Sequence, residues 1–366
     1  MTKKQRIRRF FPAGNTTKGF YSFFDDILPH EEANRIYSFK GGPGTGKSSM
    51  MRKISQHFET KGLDIEYHHC SSDPDSLDAI VVSQARVAFM DGTAPHVVDP
   101  KTPGAIDEII NLGDNWNREK LVQKRDTILK VRKENSRLFQ KAYGYLKAVG
   151  HLYENYEKTA LTAFDVNRSL FQANQLIQDL LHDYPYQPLI GKERHLFGFG
   201  ITPKGIVHFR DDYLQDKKIK VRISESIFST SEQMMNRLKE ALTERGFSII
   251  CLHSPIKPEK IVEIICDELE LVISVDTHYY QTLDTVQYTY DIDLSSLVDN
   301  ERQQEIQKEV EEDLAECDRL LKKAVYYIHK AKNNHHKLEQ YYIDALDFSK
   351  HDELTEILIE EIESYL

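Results

Sequence analysis

The chain has 366 residues, enough for roughly two domains with a core each. Charged residues make up 29% of it and its formal net charge is −10, which argues against non-specific binding to nucleic acid or to an anionic membrane. No apolar stretch approaches the length of a membrane span, and the scattered cysteines show no paired metal-binding spacing. These features predict a cytoplasmic protein with reduced thiols.

The first informative element is a glycine-rich segment between a strand and a helix. Arg35 to Lys40 reads as a strand, and after the glycines apolar residues recur at helical spacing until Gly62. Glycines let the backbone turn around an anion, and a following helix presents its positive end to that anion. The pattern predicts a loop that binds the phosphates of a nucleoside triphosphate, formed by Gly41, Gly42, Pro43, Gly44, Thr45, Gly46, Lys47, Ser48 and Ser49.

Three side chains are predicted to act on the phosphates. Lys47 is expected to reach the β- and γ-phosphates, and Ser48 to offer its hydroxyl to Mg²⁺. A strand-like run ends in Asp91, and a carboxylate at that position can complete the magnesium site. We therefore predict Lys47 and Asp91 as catalytic residues, Ser48 and Asp91 as metal ligands, and ATP and Mg²⁺ as cofactors. ATP is the default nucleotide, because no guanine-specifying Asn-Lys-x-Asp motif is present.

A polar segment follows the next predicted strand, Asp64 to His69. Its carboxylates, Asp73 and Asp75, are predicted catalytic residues, because they can orient water in a hydrolase or accept a proton in a kinase. Alternatively, Asp75 or Ser76 caps a helix that begins after them.

A second polar segment follows Asp91. Thr93 and His96 can face the terminal phosphate there, with a polar surface turn as the alternative. Trp116, the only tryptophan, opens a helical region and is predicted to be a packing anchor rather than a platform for a base.

The chain also contains an internal repeat. Residues 14–28 align without gaps to residues 200–214, with eight identities in fifteen positions. The match continues through the α/β regions, where Asp91 falls on Asp276 with one residue inserted, and through the helical regions, where Ala163-Phe164-Asp165 corresponds to Ala345-Leu346-Asp347. The repeat predicts two units, 1–185 and 186–366, with helical segments at about 116–184 and 300–366.

The second unit lacks the glycine-rich sequence. Residues 225–232 replace it, with Ser231 at the position of Lys47 and Glu232 at the position of Ser48. Since no glycine remains to turn the backbone around a phosphate, this copy is predicted to be degenerate.

The helical segments carry apolar residues at alternating steps of four and three, typical of a coiled-coil-like seam. In the first copy these are Leu138, Ala142, Tyr145, Val149, Leu152 and Tyr156. They predict a stalk packed on its twin, with a partner-binding arm as the alternative. Arg194 could reach a phosphate across the two copies, but Arg8 holds the equivalent position, which favours a shared structural role.

Four segments, RFFPAGNTTKGF, KGGPGTGKSSMMRKI, YHHCSSDPDSLD and DGTAPHVVDP, resemble a little-characterised family of bacterial ATPases, mostly from Gram-positive spore-formers, with two tandem P-loop domains. The resemblance spans nearly the whole chain. It implies ATP binding at Gly41 to Ser48 and leaves the family's substrate undefined. The expected fold is α/β, with two tandem P-loop NTPase-like cores, each followed by a long helical segment, and a degenerate second core.

Three functions fit these observations. The duplicated cores and helical segments favour an ATPase that moves its helical arms, and the Asp73 to Ser76 segment favours a small-molecule or nucleotide kinase. Gly92 stands where many ATPases carry a water-activating Glu, which favours a nucleotide-gated scaffold without turnover. The expected partners are a nucleoside triphosphate and an unknown protein or small-molecule acceptor, with no membrane and no role expected for nucleic acid.

Overall fold

The computed structural model describes residues 5–93, 98–281 and 286–366. Over these ranges the chain is mixed α/β, as predicted, with two six-stranded mixed sheets, two small hairpins and long helices. Among the helices of the described residues, none is long and apolar enough to cross a membrane.

The first copy contributes one sheet and one hairpin. Its strands are β1 (Ile7–Phe10), β2 (Ala13–Thr16), β3 (Gly19–Ser22), β4 (Arg35–Lys40), β5 (Ile65–Cys70), β6 (Asp73–Val82), β7 (Val87–Asp91) and β8 (Asp107–Asn111). The sheet has the order β1-β5-β6-β7-β4-β8, with β6 antiparallel to both neighbours, and β2 pairs with β3. The strands predicted at β4, β5 and β7 are confirmed.

The second copy repeats this arrangement strand for strand. Its strands are β9 (Glu193–Phe197), β10 (Phe199–Thr202), β11 (Gly205–His208), β12 (Ile219–Ser224), β13 (Ile249–His253), β14 (Ile261–Cys266), β15 (Leu271–Asp276) and β16 (Tyr290–Asp293). Read from the matching edge, the order is β9-β13-β14-β15-β12-β16, with β14 antiparallel. The repeat in the sequence therefore has a counterpart in the fold.

The helices are α1 (Lys47–Thr60), α2 (Arg118–Gln123), α3 (Arg125–Ala160), α4 (Val166–Leu181), α5 (Asp211–Leu214), α6 (Glu232–Thr243), α7 (Asn300–Ile343) and α8 (Ser349–Glu363). α1 follows β4, and α6 follows β12 in the same way. The predicted stop of α1 is confirmed, since Gly62 has a φ of +79° just beyond the end of the helix. We call α3 and α4 the first arm, and α7 and α8 the second arm.

The two long helices pack along each other, as the seam predicts. Leu138, Ala142 and Val149 of α3 are buried, and the last two share one apolar cluster with residues of α7 such as Leu321. Tyr145 stacks on Tyr327, its counterpart in the repeat, with ring centroids 5.6 Å apart. The stalk of each copy is therefore stabilised by its twin.

Beyond the stalk, each arm covers the core of the other copy. α4 shares an apolar cluster with α6 and the second sheet, through residues such as Leu176 and Leu238. α8 shares one with α1 and the first sheet, through residues such as Ile359 and Ile54. The helix that ends one copy in sequence thus completes the core of the other copy in space.

Reciprocal ion pairs join the two copies. Arg8 donates to both oxygens of Asp267 at 2.9 and 2.6 Å, and Arg194 donates to Glu66 at 3.0 and 2.5 Å. Burial raises the pKa of Glu66, but the Arg194 guanidinium and His68 together lower it by more, so this pKa lies below its usual range. The shared structural role predicted for Arg8 and Arg194 is confirmed.

One predicted element is wrong. Asp73–Val82 forms β6 and not a loop that leads into a helix, so neither Asp75 nor Ser76 is a helix cap. The apolar run at the end of β6 is rich in β-branched residues and pairs with strands on both sides, which stabilises an extended backbone. Asp73 and Asp75 consequently lie at the start of a strand.

Candidate functional site

The glycine-rich loop (residues 41–48) connects β4 to α1. Gly44 and Gly46 have φ values of +72° and +79°, in the left-handed region that residues with a Cβ avoid. Gly46 is the N-cap of α1, so the unpaired N–H groups at the start of that helix follow the loop directly. Such a helix N-terminus favours an anion.

Lys47 lies against its own loop. Its side chain is 9% exposed, and Nζ donates to the carbonyl oxygens of Gly41 and Gly42 at 3.1 and 2.9 Å. The same Nζ is 3.5 Å from Oδ2 of Asp91. The ammonium is therefore held between the loop and the end of β7.

Asp91 and Ser48 supply oxygen atoms near this ammonium and α1. Asp91 ends β7, and its Oδ1 accepts hydrogen bonds from the backbone N–H, at 2.9 Å, and the hydroxyl of Thr93. Oγ of Ser48 accepts a hydrogen bond from the backbone N–H of Leu77 at 3.0 Å. Each group retains a lone pair for another partner. Carboxylate and hydroxyl oxygens are the kind of ligand that Mg²⁺ prefers, so the donor set fits that metal.

Asp73 is joined to the second arm. Its Oδ1 is 2.7 Å from Nζ of Lys332 on α7, and the two side chains are 27% and 16% exposed. Because β6 is antiparallel to β7, Asp73 begins its strand at the edge of the sheet where Asp91 ends. The carboxylate predicted to be catalytic is thus paired with a lysine that the sequence did not indicate.

Asp75 belongs to the contact between the copies. Its Oδ1 is 2.6 Å from Nζ of Lys204, and the side chain is 65% exposed. The aligned residue Glu259 pairs with Lys18, so the same contact is made twice. Because both copies make this contact, the ion pair gives Asp75 a structural role and is no evidence for a catalytic one.

The second arm packs directly on the glycine-rich loop. A Cβ at Gly42 would lie 3.1 Å from Cε1 of Tyr342 and 3.2 Å from Cζ2 of Trp116, and one at Gly44 would lie 2.9 Å from the carbonyl oxygen of Glu339. The φ of Gly42 is not positive, so the backbone does not require a glycine there. The close approach of Tyr342 and Trp116 explains why this residue has no side chain.

The start of α8 makes a further contact with the loop. Nε2 of His351 donates to the carbonyl oxygen of Thr45 at 3.0 Å, and both side chains are buried. Three successive parts of the loop therefore contact the second arm, which belongs to the other copy.

Trp116 packs at the junction of loop and arm, as predicted. Its ring centroid is 5.4 Å from that of Tyr342, and its backbone forms a β-bridge with Leu346. A cavity of about 440 Å³ borders this junction, lined by Asp114, Asn115, Trp116, Asn117, Lys120, Asp344, Ala345, Leu346, Asp347 and Lys350. Its volume is within the range of small-molecule pockets.

The second loop (residues 225–232) supplies its own anion. Oε1 of Glu225 accepts hydrogen bonds from the backbone N–H and the hydroxyl of Ser231 at 2.6 and 2.7 Å, at the N-terminus of α6. Oε2 is 2.7 Å from Nζ of Lys260, and both side chains are buried. A carboxylate of the chain therefore occupies the helix N-terminus.

The predicted equivalence of Asp91 and Asp276 is wrong. Phe39 is registered with Asp91, whereas the aligned residue Ile223 is registered with Val275. Asp276 lies one position further along, and successive residues of a strand point to opposite faces. Its carboxylate accordingly meets Arg210 at 2.6 Å.

Arg210 is a buried charged residue that the sequence did not single out. It is 1% exposed and donates to Glu263 at 2.5 Å and to Asp276 at 2.6 Å, with its guanidinium 3.7 Å from the ring centroid of Tyr280. The repeat carried the signal, because Arg210 aligns with the apolar Phe24. Because its partners are two carboxylates and an aromatic ring of the same copy, we assign Arg210 a structural role.

Another cluster has metal-ligating chemistry. Glu193, His195 and Cys251 bring one ligand atom each to within 4.8 Å of the others. However, Nζ of Lys239 is 3.0 Å from both oxygens of Glu193, so a cation already neutralises this carboxylate.

Of the remaining predicted residues, Ser49 is exposed on the first turn of α1, and His96 lies outside the described residues. Comparisons of the chain with known protein families, curated proteins and solved structures found no match.

Proposed function

We propose that this chain is a magnesium-dependent ATPase with one nucleotide site, at the glycine-rich loop, and that nucleotide binding changes how the second arm packs on that loop. The observation that carries the proposal is the direct contact of the arm with Gly42, Gly44 and Thr45. Any ligand that reorders this loop must alter the arm, because the two surfaces are in van der Waals contact.

The site's groups suit a bound triphosphate. Lys47 would bind phosphate oxygens in place of the carbonyls of Gly41 and Gly42, and the N-terminus of α1 would add its partial positive charge. Ser48 and Asp91 would hold Mg²⁺, which would neutralise phosphate charge and polarise the terminal phosphoryl group. The cavity beside Trp116 has room for the nucleoside.

The second loop is proposed to have no nucleotide function. Glu225 lies where an anion would have to bind, and it is already compensated by Lys260. A phosphate would have to displace this carboxylate and break its ion pair with the buried Lys260, which is costly. The second copy then serves as the support on which the arms are mounted.

The kinase alternative has less support. Both carboxylates offered for an acceptor's proton, Asp73 and Asp75, are held in ion pairs with Lys332 and Lys204. The nucleotide-gated scaffold remains an alternative, because Gly92 follows Asp91 and no water-activating Glu stands there.

Phosphate release from ATP with Mg²⁺ tests the proposal, measured with and without a small-metabolite extract. We expect release by the parent protein alone, and Lys47→Ala should weaken ATP binding by about 100-fold through the loss of charge-assisted hydrogen bonds. Lys218→Ala, which removes an exposed lysine of the second copy that pairs with Glu270, is the matched control and should behave like the parent.

Trp116 provides a second readout of the same experiment. Because it is the only tryptophan and lies between loop and arm, its fluorescence reports their contact. We expect ATP to change the emission of the parent and not that of Lys47→Ala. A fluorescence change without phosphate release would favour the scaffold, turnover only with extract would favour the kinase, and unaltered ATP binding by Lys47→Ala would refute the site.

A further inference from the structure

Lys332 is the basic residue of the second arm that lies nearest to the predicted catalytic carboxylates. Its Nζ is 2.7 Å from Asp73 and 3.6 Å from Asp75, and its side chain is only 16% exposed. Asp73 starts β6 on the side of the sheet where β7 ends in Asp91, five positions beyond the level of that residue. A lysine of the second copy therefore reaches the edge of the first sheet where the glycine-rich loop also lies.

The neighbouring turn of α7 is close to the same loop. The carbonyl oxygen of Glu339 lies where a Cβ of Gly44 would make contact. His335, between Lys332 and Glu339, has a pKa that burial lowers most; the charges of His336 and Lys47 also lower it, while those of Glu339 and Asp73 raise it. This face of α7 consequently looks onto the region where Lys47 ends.

The internal repeat provides a comparison within one molecule. On the first arm, which faces the second loop, the residues aligned with Lys332 and His335 are Gly150 and Tyr153. Gly150 lies against Thr17, whereas Tyr153 lines the small cavity beside Glu225. At these two aligned positions a lysine and a histidine are present in the second arm, which faces the glycine-rich loop, and absent from the first arm.

We propose that Lys332 binds the terminal phosphate of the nucleoside triphosphate at the glycine-rich loop, with Asp73 holding its ammonium when no phosphate is present. The assignment rests on the proposed nucleotide site. It adds that the site is completed by the second copy, and that the third phosphate is what couples the nucleotide to the arm. The site then distinguishes a triphosphate from a diphosphate through a residue of α7.

The test compares the affinities of MgATP and MgADP, measured by calorimetry, for the parent and for Lys332→Met. We expect ATP binding to weaken by about tenfold or more, the worth of one charge-assisted hydrogen bond, and ADP binding to stay within about threefold of the parent. Lys332→Arg should recover most of the ATP affinity. Lys322→Met, which removes an exposed lysine of the same helix, should alter neither affinity.

Asp73→Asn gives an effect of opposite sign and decides the matter if Lys332→Met does not fold. With its competing carboxylate gone, Lys332 should bind ATP more tightly, by about threefold, with ADP affinity unchanged. A parent that binds both nucleotides, with variants that keep its ATP-to-ADP ratio, would overturn the role of Lys332 alone. A parent that binds neither nucleotide would overturn the proposed function together with this assignment.

Discussion

The loops after β4 and β12 occupy equivalent places in two sheets of the same topology, yet their charges are arranged differently. In the second loop Glu225 lies at the N-terminus of α6 and is neutralised by the buried Lys260. In the glycine-rich loop a cation, Lys47, lies against backbone carbonyls at the start of α1. The N-terminus of α6 is thus occupied by a carboxylate of the chain, whereas at the start of α1 the ammonium of Lys47 bonds to carbonyls and lies 3.5 Å from Asp91.

The cores beneath the two loops also differ in charge. In the first copy Phe24 and Ala79 pack in an apolar cluster. The aligned residues of the second copy are Arg210 and Glu263, which form a buried ion pair with further bonds to Tyr280 and Asp276. The second copy has thus exchanged apolar packing for a polar network, which resists partial disruption because each unpaired member would be costly.

Breaking the Arg210 network should have the largest effect on stability. Arg210→Met leaves Glu263 buried without its cation, so the free energy of unfolding should fall by about 4 kcal/mol. Urea unfolding measures the change, with Arg222→Met as control because that arginine pairs with Asp291 at the surface. If Arg210→Phe with Glu263→Ala, which copies the first core, were no more stable than Arg210→Met, the apolar and ionic cores would not be interchangeable.

Substitutions in the second loop should change the stability of the fold, whereas Lys47→Ala in the glycine-rich loop should chiefly change nucleotide binding. Lys260→Met strands the buried carboxylate of Glu225 and should cost about 3 kcal/mol, most of which Glu225→Gln should restore in the double variant. Lys47→Ala should change the free energy of unfolding by no more than about 1 kcal/mol, because its nearest partners are carbonyls and the carboxylate of Asp91, 3.5 Å away, is partly exposed. Equal losses from Lys260→Met and Lys47→Ala would contradict the distinction between the loops.

The smallest expected effect concerns a feature that both copies share. Burial lowers the pKa of His69 and of its counterpart His253 to about 4 each. The unfolded chain then binds more protons than the folded one between pH 6.5 and 4, so stability falls as the pH falls through that window.

At pH 5.5 each of these histidines should reduce stability by about 1 kcal/mol relative to pH 8. His69→Gln should remove that amount from the pH dependence of the free energy of unfolding, and His253→Gln should do the same. A variant that keeps the full pH dependence of the parent would show that folding does not lower the pKa of its histidine.

Much of the first copy was predictable, because the signals are local. The glycines at 44 and 46 are required by positive φ values, and the helix and the strands beside them follow from apolar periodicity. Asp73–Val82 was misread because its extended form depends on pairing with β5 and β7 on either side. The equivalence of Asp91 and Asp276 failed for a related reason, since strand register is set by partners that lie far along the chain.

The sequence by itself determined the repeat, the loop with its lysine, and the loss of that loop in the second copy, because each is written in consecutive residues. Only the tertiary structure decided that the arms are exchanged, so that α8 covers α1 and Lys332 meets Asp73. It also decided that Glu225 fills the N-terminus of α6. These contacts join residues far apart in the chain, and they depend on how apolar faces and buried charges find partners in three dimensions rather than on any local pattern.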